Sequence, residues 1–315
     1  MKPTILMAPR MPARLVARLQ ERYEVLGPMS HPRPAALPAG AEAARALLTV
    51  GTWKTDAALI EALPNLGLIA CYGTGNEGVE RAAARARGIM VSNAADANAT
   101  SVAEFAMGLM LASARQIGAA ERFARAGRWQ GNAIERMATV PGLAGRKLGI
   151  FGLGAIGQRI AVRAAAFDMT IGYHNRSPRP ELPYQYHASL LGLAEWADIL
   201  MVSVRASGET RHAIDARILR ALGPDGHLVN ISRGIAVDEA ALIEALESGT
   251  IAGAALDVYE HEPAIPDRLK ALENVVLTPH IAANAESAQV AQQELLLANL
   301  EAFFAGRPLL SPVAL

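Results

Sequence analysis

At 315 residues the chain is about twice the length of a typical domain, so two domains are expected. Apolar residues make up 51% and charged residues 19%, and 30 basic side chains balance 30 acidic ones. The chain therefore lacks the basic excess that nucleic acid or an anionic membrane surface requires of a partner. No uncharged apolar run approaches the roughly 18 residues of a spanning helix. The N-terminus turns polar and basic by Arg10 without a signal-peptide core, so a soluble, cytoplasmic protein is the expectation. The single cysteine, Cys71, excludes an intramolecular disulfide and a cysteine-built metal cage.

In chain order, residues 4–8 read as a strand and 13–22 as a helix with apolar Leu15, Val16 and Leu19. The Pro-rich residues 28–38 read as a surface loop, because repeated proline cannot supply ladder donors. Residues 46–50, 66–72 and 89–92 read as strands, separated by helical stretches over 56–63 and 79–87. One long helix is expected over 101–125. A second alternating region follows, with strands at 147–151, 169–173, 199–204, 227–231, 251–256 and 275–278, and an amphipathic helix over 285–304 closes it. Apolar runs alternating with helical patterns predict parallel sheets covered on both faces.

The run Gly152-Leu153-Gly154-Ala155-Ile156-Gly157 follows a predicted strand and opens a predicted helix. The first glycine permits a tight turn, the second lets backbone approach a pyrophosphate, and the third lets helix and strand pack closely. Amides at the helix start then face phosphate oxygens. The next strand ends where a fold that binds NAD usually carries an acid for the ribose hydroxyls. Here the residues are His174-Asn175-Arg176-Ser177-Pro178-Arg179, with no carboxylate. Donors from Asn175, Arg176 and Ser177 suit the 2′-phosphate of NADP(H), with NAD(H) as the alternative cofactor and a solvated polar turn as the bland one.

Three further segments sit just past predicted strands, where open parallel sheets bind ligands. They are Asn230-Ile231-Ser232-Arg233-Gly234, Asp257-Val258-Tyr259-Glu260-His261-Glu262-Pro263 and Thr278-Pro279-His280. A carboxylate and an imidazole meeting from neighbouring strand ends would fix the ring tautomer and favour imidazolium. Taken singly, each of these residues reads as a loop or capping residue.

With these segments the chain resembles the D-isomer-specific 2-hydroxyacid dehydrogenases over essentially its whole length. The likeness extends to Gly73-Thr74-Gly75 in the first region and Ser101-Val102-Ala103-Glu104 in the linking helix. Within the family, Asn175-Arg176-Ser177 is most similar to the glyoxylate/hydroxypyruvate reductases that use NADPH. The resemblance implies two doubly wound α/β domains. A Rossmann cofactor domain, residues 99–284, would be inserted in a flavodoxin-like substrate domain, residues 1–98 and 285–315. It implies a catalytic triad of Arg233, Glu262 and His280, with the substrate carboxylate held by Arg233 and the Thr74-Gly75 backbone. Cofactor contacts would come from Gly152 to Gly157, Asn175, Arg176, Ser177, Ile231 and Asp257, the last near the nicotinamide carboxamide. The reaction would reduce a small 2-oxo acid, and the assembly would be a homodimer built through the linking helix.

Departures from the family pattern are Arg205 after the strand at 199–204, Glu77 where an Asp is common, and Gln130-Gly131-Asn132 after Trp129. Glu262 argues against a formate dehydrogenase, whose family carries Gln there. The remaining readings are an NAD-dependent enzyme for a bulkier 2-oxo acid and a dinucleotide-sensing binding protein. Cys71 and the methionines at 107 and 110 are expected in the core, and His261 toward solvent. Trp53 and Trp129 are expected either to line a cleft or to pack. No H-x-x-x-H or cysteine pattern supports a metal.

Overall fold

The computed structural model describes residues 2–131 and 137–315. Contacts divide the chain into two compact units, Met1–Asn98 with Ala285–Leu315, and Ala99–Asn284. Each is an open parallel sheet flanked by helices, so the expected fold class holds.

Among the described residues, the first unit has five strands, β1 (Thr4–Met7), β2 (Glu24–Leu26), β3 (Ala46–Val50), β4 (Leu68–Tyr72) and β5 (Met90–Ser92). Their order is β2-β1-β3-β4-β5, the flavodoxin-like doubly wound arrangement. Successive side chains alternate between two buried layers. Ile5, Met7, Leu48 and Leu68 pack with Leu15, Leu19 and with Leu296, Leu297 and Leu300 of the last helix. Leu6, Leu47, Ile69 and Cys71 pack with Leu59, Ile60 and Ala84 on the opposite face. Burying each such aliphatic side chain contributes about 1.5–3 kcal/mol relative to leaving it exposed. The last helix, Glu286–Phe304, buries polar Gln292, Gln293 and Asn299 beside its leucines. Its core-facing stripe is thus less apolar than a simple amphipathic pattern. Asn299 accepts the Leu310 and Ser311 amides and donates to Ser311 Oγ, tying the C-terminal segment down.

Among the described residues, the second unit has seven strands, β6 (Lys147–Phe151), β7 (Thr170–His174), β8 (Gln185–Tyr186), β9 (Ile199–Val202), β10 (His227–Asn230), β11 (Gly253–Leu256) and β12 (Val275–Leu277). The order β12-β11-β10-β9-β6-β7-β8 is the Rossmann order with one further strand at an edge. Strand order reverses beside β6, so its C-terminal end, at Gly152, is a topological switch point. One face packs Met107, Met110, Ile160 and Ile171, and the other packs Leu193, Leu219, Leu242 and Leu246.

The long helix expected over 101–125 is instead two helices, Ala99–Ala114 and Ile117–Arg125. The break falls at Gln116, whose φ of 53° is left-handed. No Pro or Gly stands at residues 115–116 to announce it. Two short strands, β2 and β8, were also absent from the sequence reading. At three and two residues, they carry too little pattern to separate from loop. No helix among the described residues is long and apolar enough to cross a membrane.

Candidate active site

The glycine turn after β6 uses its three glycines differently. Gly152 has a φ of 101°, and a Cβ there would meet the Ser203 carbonyl oxygen at 2.8 Å. A Cβ on Gly157 would lie 2.3 Å from the Gly152 carbonyl oxygen, so this glycine lets the helix Ala155–Ala165 close onto the turn. A Cβ on Gly154 would meet nothing within 4 Å. Gly154 caps that helix without a side-chain hydrogen bond, so first-turn amides face open space that a side chain would fill. This is the cradle a dinucleotide pyrophosphate requires, and the residues present fit that group. Leu153 is fully buried and Ala155 and Ile156 are half-buried, so these positions offer a ligand mainly backbone.

Beyond β7, the Asn175 side-chain oxygen accepts the Leu153 amide at 2.7 Å. Asn175 therefore shapes the glycine turn and keeps its amide NH2 as a donor. Arg176 is 91% exposed, 3.9 Å from Glu209, and Ser177 is also exposed. Arg179 is half-buried and closer to the turn. Its Nη1 donates to the Leu153 carbonyl at 3.4 Å, its Nε to Glu181 at 2.7 Å, and its amide to Tyr173 Oη at 2.6 Å. Sequence reasoning named Arg179 without giving it a role, because nothing in the sequence shows that the chain doubles back there.

The C-terminal ends of β10, β11 and β12 bring Arg233, Glu262 and His280 into one neighbourhood. Asn230, 1% exposed, accepts Ser232 N–H and Oγ–H and donates to the Arg233 carbonyl, which shapes the Arg233 turn. Gly234 then presses on the next segment, since a Cβ there would sit 2.0 Å from the Tyr259 carbonyl oxygen. Asp257, 0% exposed, accepts Thr278 Oγ1–H at 2.6 Å and the Ile281 and Ala282 amides at 2.9 and 2.8 Å. It thereby fixes the turn that carries His280. Tyr259 Oη donates to the Thr278 carbonyl at 2.9 Å and ties the same two segments; burial pushes this phenol up to about 12.

His280 itself has a φ of 54°, a left-handed conformation a non-glycine residue adopts only when its surroundings impose it. Its Nδ1 lies 2.7 Å from Glu262 Oε2, and Glu262 Oε1 accepts the Tyr259 amide at 3.1 Å. The bond to Glu262 holds the imidazole above its ordinary value, against burial and the nearby Arg233 charge and with help from Asp257. For Glu262, burial pushes the carboxyl up, but the His280 and Tyr259 hydrogen bonds and Arg233 together hold it below its ordinary value. Each shift is toward the charged form of its group. His261 faces solvent, and among the described residues no three His, Cys, Asp or Glu side chains are grouped to hold a metal. Ile231 is in the core, 6% exposed.

In the first unit, Gly73-Thr74-Gly75 forms the turn after β4. Asn93 Nδ2 donates to the Thr74 carbonyl at 2.6 Å, and the Ala94 amide donates to the Gly73 carbonyl at 2.7 Å. A Cβ on Gly51 would lie 2.7 Å from the Gly75 carbonyl carbon, so the Gly51 turn braces this one. Among the described residues, the Thr74 and Gly75 amides donate to nothing. Trp53 is half-buried, its indole N–H enclosed without an acceptor among the described residues. Trp129 is 58% exposed, and Asn132 lies outside the described residues.

The family model for the NAD-binding domain of D-isomer specific 2-hydroxyacid dehydrogenases matches residues 107–282. A glyoxylate/hydroxypyruvate reductase of Arabidopsis thaliana is 37% identical over 310 residues, covering 98% of each chain. A glyoxylate reductase of Thermococcus litoralis is 37% identical over 315 residues, covering 97% of this chain and 95% of that one. The crystal structure of an NADPH-dependent glyoxylate/hydroxypyruvate reductase from Sinorhizobium meliloti, in complex with NADP and malonate, superposes with a TM-score of 0.92. It is 39% identical and covers 100% of this chain and 97% of that one. On its own motifs and on these likenesses, the chain is an oxidoreductase belonging to the D-isomer-specific 2-hydroxyacid dehydrogenase family.

Proposed function

We propose that the protein reduces a small 2-oxo acid, of the size of glyoxylate or hydroxypyruvate, to the D-2-hydroxy acid with NADPH. The observation that carries this reading is the 2.7 Å Glu262–His280 bond, which favours the charged form of an imidazole near Arg233. The likeness to glyoxylate and hydroxypyruvate reductases supports the substrate class, and the NADP bound in the Sinorhizobium meliloti structure supports the cofactor class.

When bound, the nicotinamide supplies the hydride for the substrate's carbonyl carbon. The chain's own residues then have separable tasks. Arg233 holds the substrate carboxylate and polarises the carbonyl as negative charge grows on its oxygen. His280 Nδ1 is occupied by Glu262, so Nε2 is the nitrogen that gives a proton to the substrate oxygen. Asp257, with both oxygens engaged, serves by holding the His280 turn, and Ile231 offers the cofactor only backbone. The glycine turn and the start of the helix after it hold the pyrophosphate. Asn175, Arg176, Ser177 and Arg179 supply donors for the 2′-phosphate.

We also infer a homodimer. The helix Ile117–Arg125 buries no residue within its unit, and Ile117 and Trp129 are 52% and 58% exposed, a surface a second copy would cover. A monomer by light scattering would refute this. The function is tested by following NADPH and NADH consumption with glyoxylate, hydroxypyruvate, pyruvate and bulkier 2-oxo acids. Turnover of the first two with NADPH is expected. Dinucleotide binding without turnover across the panel would favour a sensing role.

A further inference from the structure

The loop after β9 reaches both segments that carry Arg233 and Glu262, through a residue no part of the mechanism uses. His212 has a φ of 49°, again left-handed. Its amide donates to the Ile235 carbonyl at 2.8 Å, and the Ile214 amide to the Ala236 carbonyl at 3.0 Å. Residues 212–214 are thereby strapped onto the turn that begins at Arg233. The His212 ring points the other way, with Nε2 2.8 Å from Glu260 Oε1. A carboxylate only accepts, so Nε2 carries the proton. Arg211 Nη2 stands 3.4 Å from the same oxygen, and the Glu260 side chain is only 16% exposed.

Glu260 is held from a third side. Its amide donates to Glu239 Oε2 at 3.4 Å, and Glu239 opens the helix that follows the Arg233 turn. The contacts close a ring: Ile235 to His212, His212 to Glu260, Glu260 to Glu239, and Glu239 back along the chain to Arg233. Inside the ring, the Gly234 backbone lies against Tyr259 and Glu260. Two residues beyond Glu260 stands Glu262, which bonds His280.

We propose that His212 and Glu260 are positioning residues that set the distance between Arg233 and the Glu262–His280 pair. The inference rests on the reading of those three residues as the catalytic group. Neither His212 nor Glu260 is bonded to that group, so each acts through the backbone it holds. The titratable and charged groups beside the ring are Arg211, Glu239 and His261; those beside the catalytic pair are Arg233 and Asp257. Loss of the His212–Glu260 bond lets the 258–262 segment move away from the Arg233 turn. Displacements of about 1 Å at a reacting centre lower rates by up to about a hundredfold.

The experiment measures kcat, KM and the pH profile for 2-oxo acid reduction in His212→Ala, His212→Gln, Glu260→Ala and His280→Ala. NADPH affinity and Tm are measured alongside. His212→Ala and Glu260→Ala are expected to lower kcat about 10-fold to 100-fold. Both should move the alkaline limb of the profile to lower pH, because His280 is less firmly held by Glu262. NADPH affinity should be unchanged. A Gln side chain reaches about as far as His Nε2 and keeps an N–H donor, so His212→Gln should recover most of kcat and the original profile. If His212→Ala keeps the wild-type rate and profile, or His212→Gln recovers neither, the positioning role is overturned. Should the alanine variants not fold, His212→Leu, which fills the space of the ring without an N–H donor, takes their place: a lowered kcat and shifted limb beside a recovered His212→Gln support the role, and a wild-type rate and profile overturn it. A wild-type rate in His280→Ala would instead remove the catalytic reading itself.

Discussion

Gly234 and Tyr259 come so close that a Cβ on the glycine would sit 1.9 Å from the tyrosine carbonyl carbon and 2.0 Å from its oxygen. The contact is backbone on backbone, so no rotamer change relieves it. It joins the segment carrying Arg233 to the segment carrying Glu262, and an added methyl must part them. Gly234→Ala is expected to lower kcat/KM at least about tenfold while leaving cofactor binding intact, measured by steady-state kinetics and NADPH titration. Wild-type kinetics in this variant would mean that the two turns need not touch.

Acid catalysis gives the second prediction. His280→Ala should lower kcat for 2-oxo acid reduction by about 10²–10⁴, the range for a positioned proton donor. Glu262→Gln removes the charge that holds the imidazole above its ordinary value. The proton-donating form is present below the His280 pKa and lost as pH rises through it. Lowering that pKa therefore moves the alkaline limb of the reduction profile to lower pH. A pH–rate profile unchanged in Glu262→Gln would show that the 2.7 Å bond does not set the proton donor.

Arg233→Lys keeps the charge and loses the planar fork. A point charge on a flexible stem cannot fix both carboxylate oxygens, so KM should rise and kcat should fall together. An arginine needed only for fold would show loss of Tm with kinetics per folded molecule unchanged.

Cofactor choice turns on the bond between Asn175 and Leu153. Asn175→Asp keeps the acceptor for the Leu153 amide and adds a charge that repels a 2′-phosphate, so preference should move toward NADH. Asn175→Ala loses the acceptor, so both cofactors should weaken together. Arg176→Ala and Arg179→Ala should each reduce the NADPH preference, with hydrogen bonds to charged groups contributing roughly 1.5–3 kcal/mol each before solvent screening. Arg179 is the less exposed of the two and pairs more closely with its acid, Glu181, than Arg176 does with Glu209. The larger loss is therefore expected at Arg179. Measured kcat/KM ratios for NADPH over NADH, with their salt dependence, decide it; a wild-type ratio in both arginine variants would leave residues 175–179 a solvated turn.

Much of this molecule is legible in the order of its residues. Buried parallel strands are continuous apolar runs, so β3, β4, β6, β9 and β10 stand out. The glycine turn declares itself because three glycines stand between a strand and a helix. A left-handed break at Gln116 leaves no such mark, since a polar residue of ordinary type takes that conformation only when packing on either side demands it. Spacing along the chain likewise carries Arg233, Glu262 and His280 as three strand-end residues. Their convergence depends on β10, β11 and β12 lying side by side, with Asp257 turning the 278–282 segment and Gly234 admitting Tyr259. The contacts of His212, Asn175 and Arg179 are set only there. Their partners are 48, 22 and 26 residues away in sequence, at Glu260 and Leu153, and side-chain hydrogen bonds between distant loops follow no period a sequence can display.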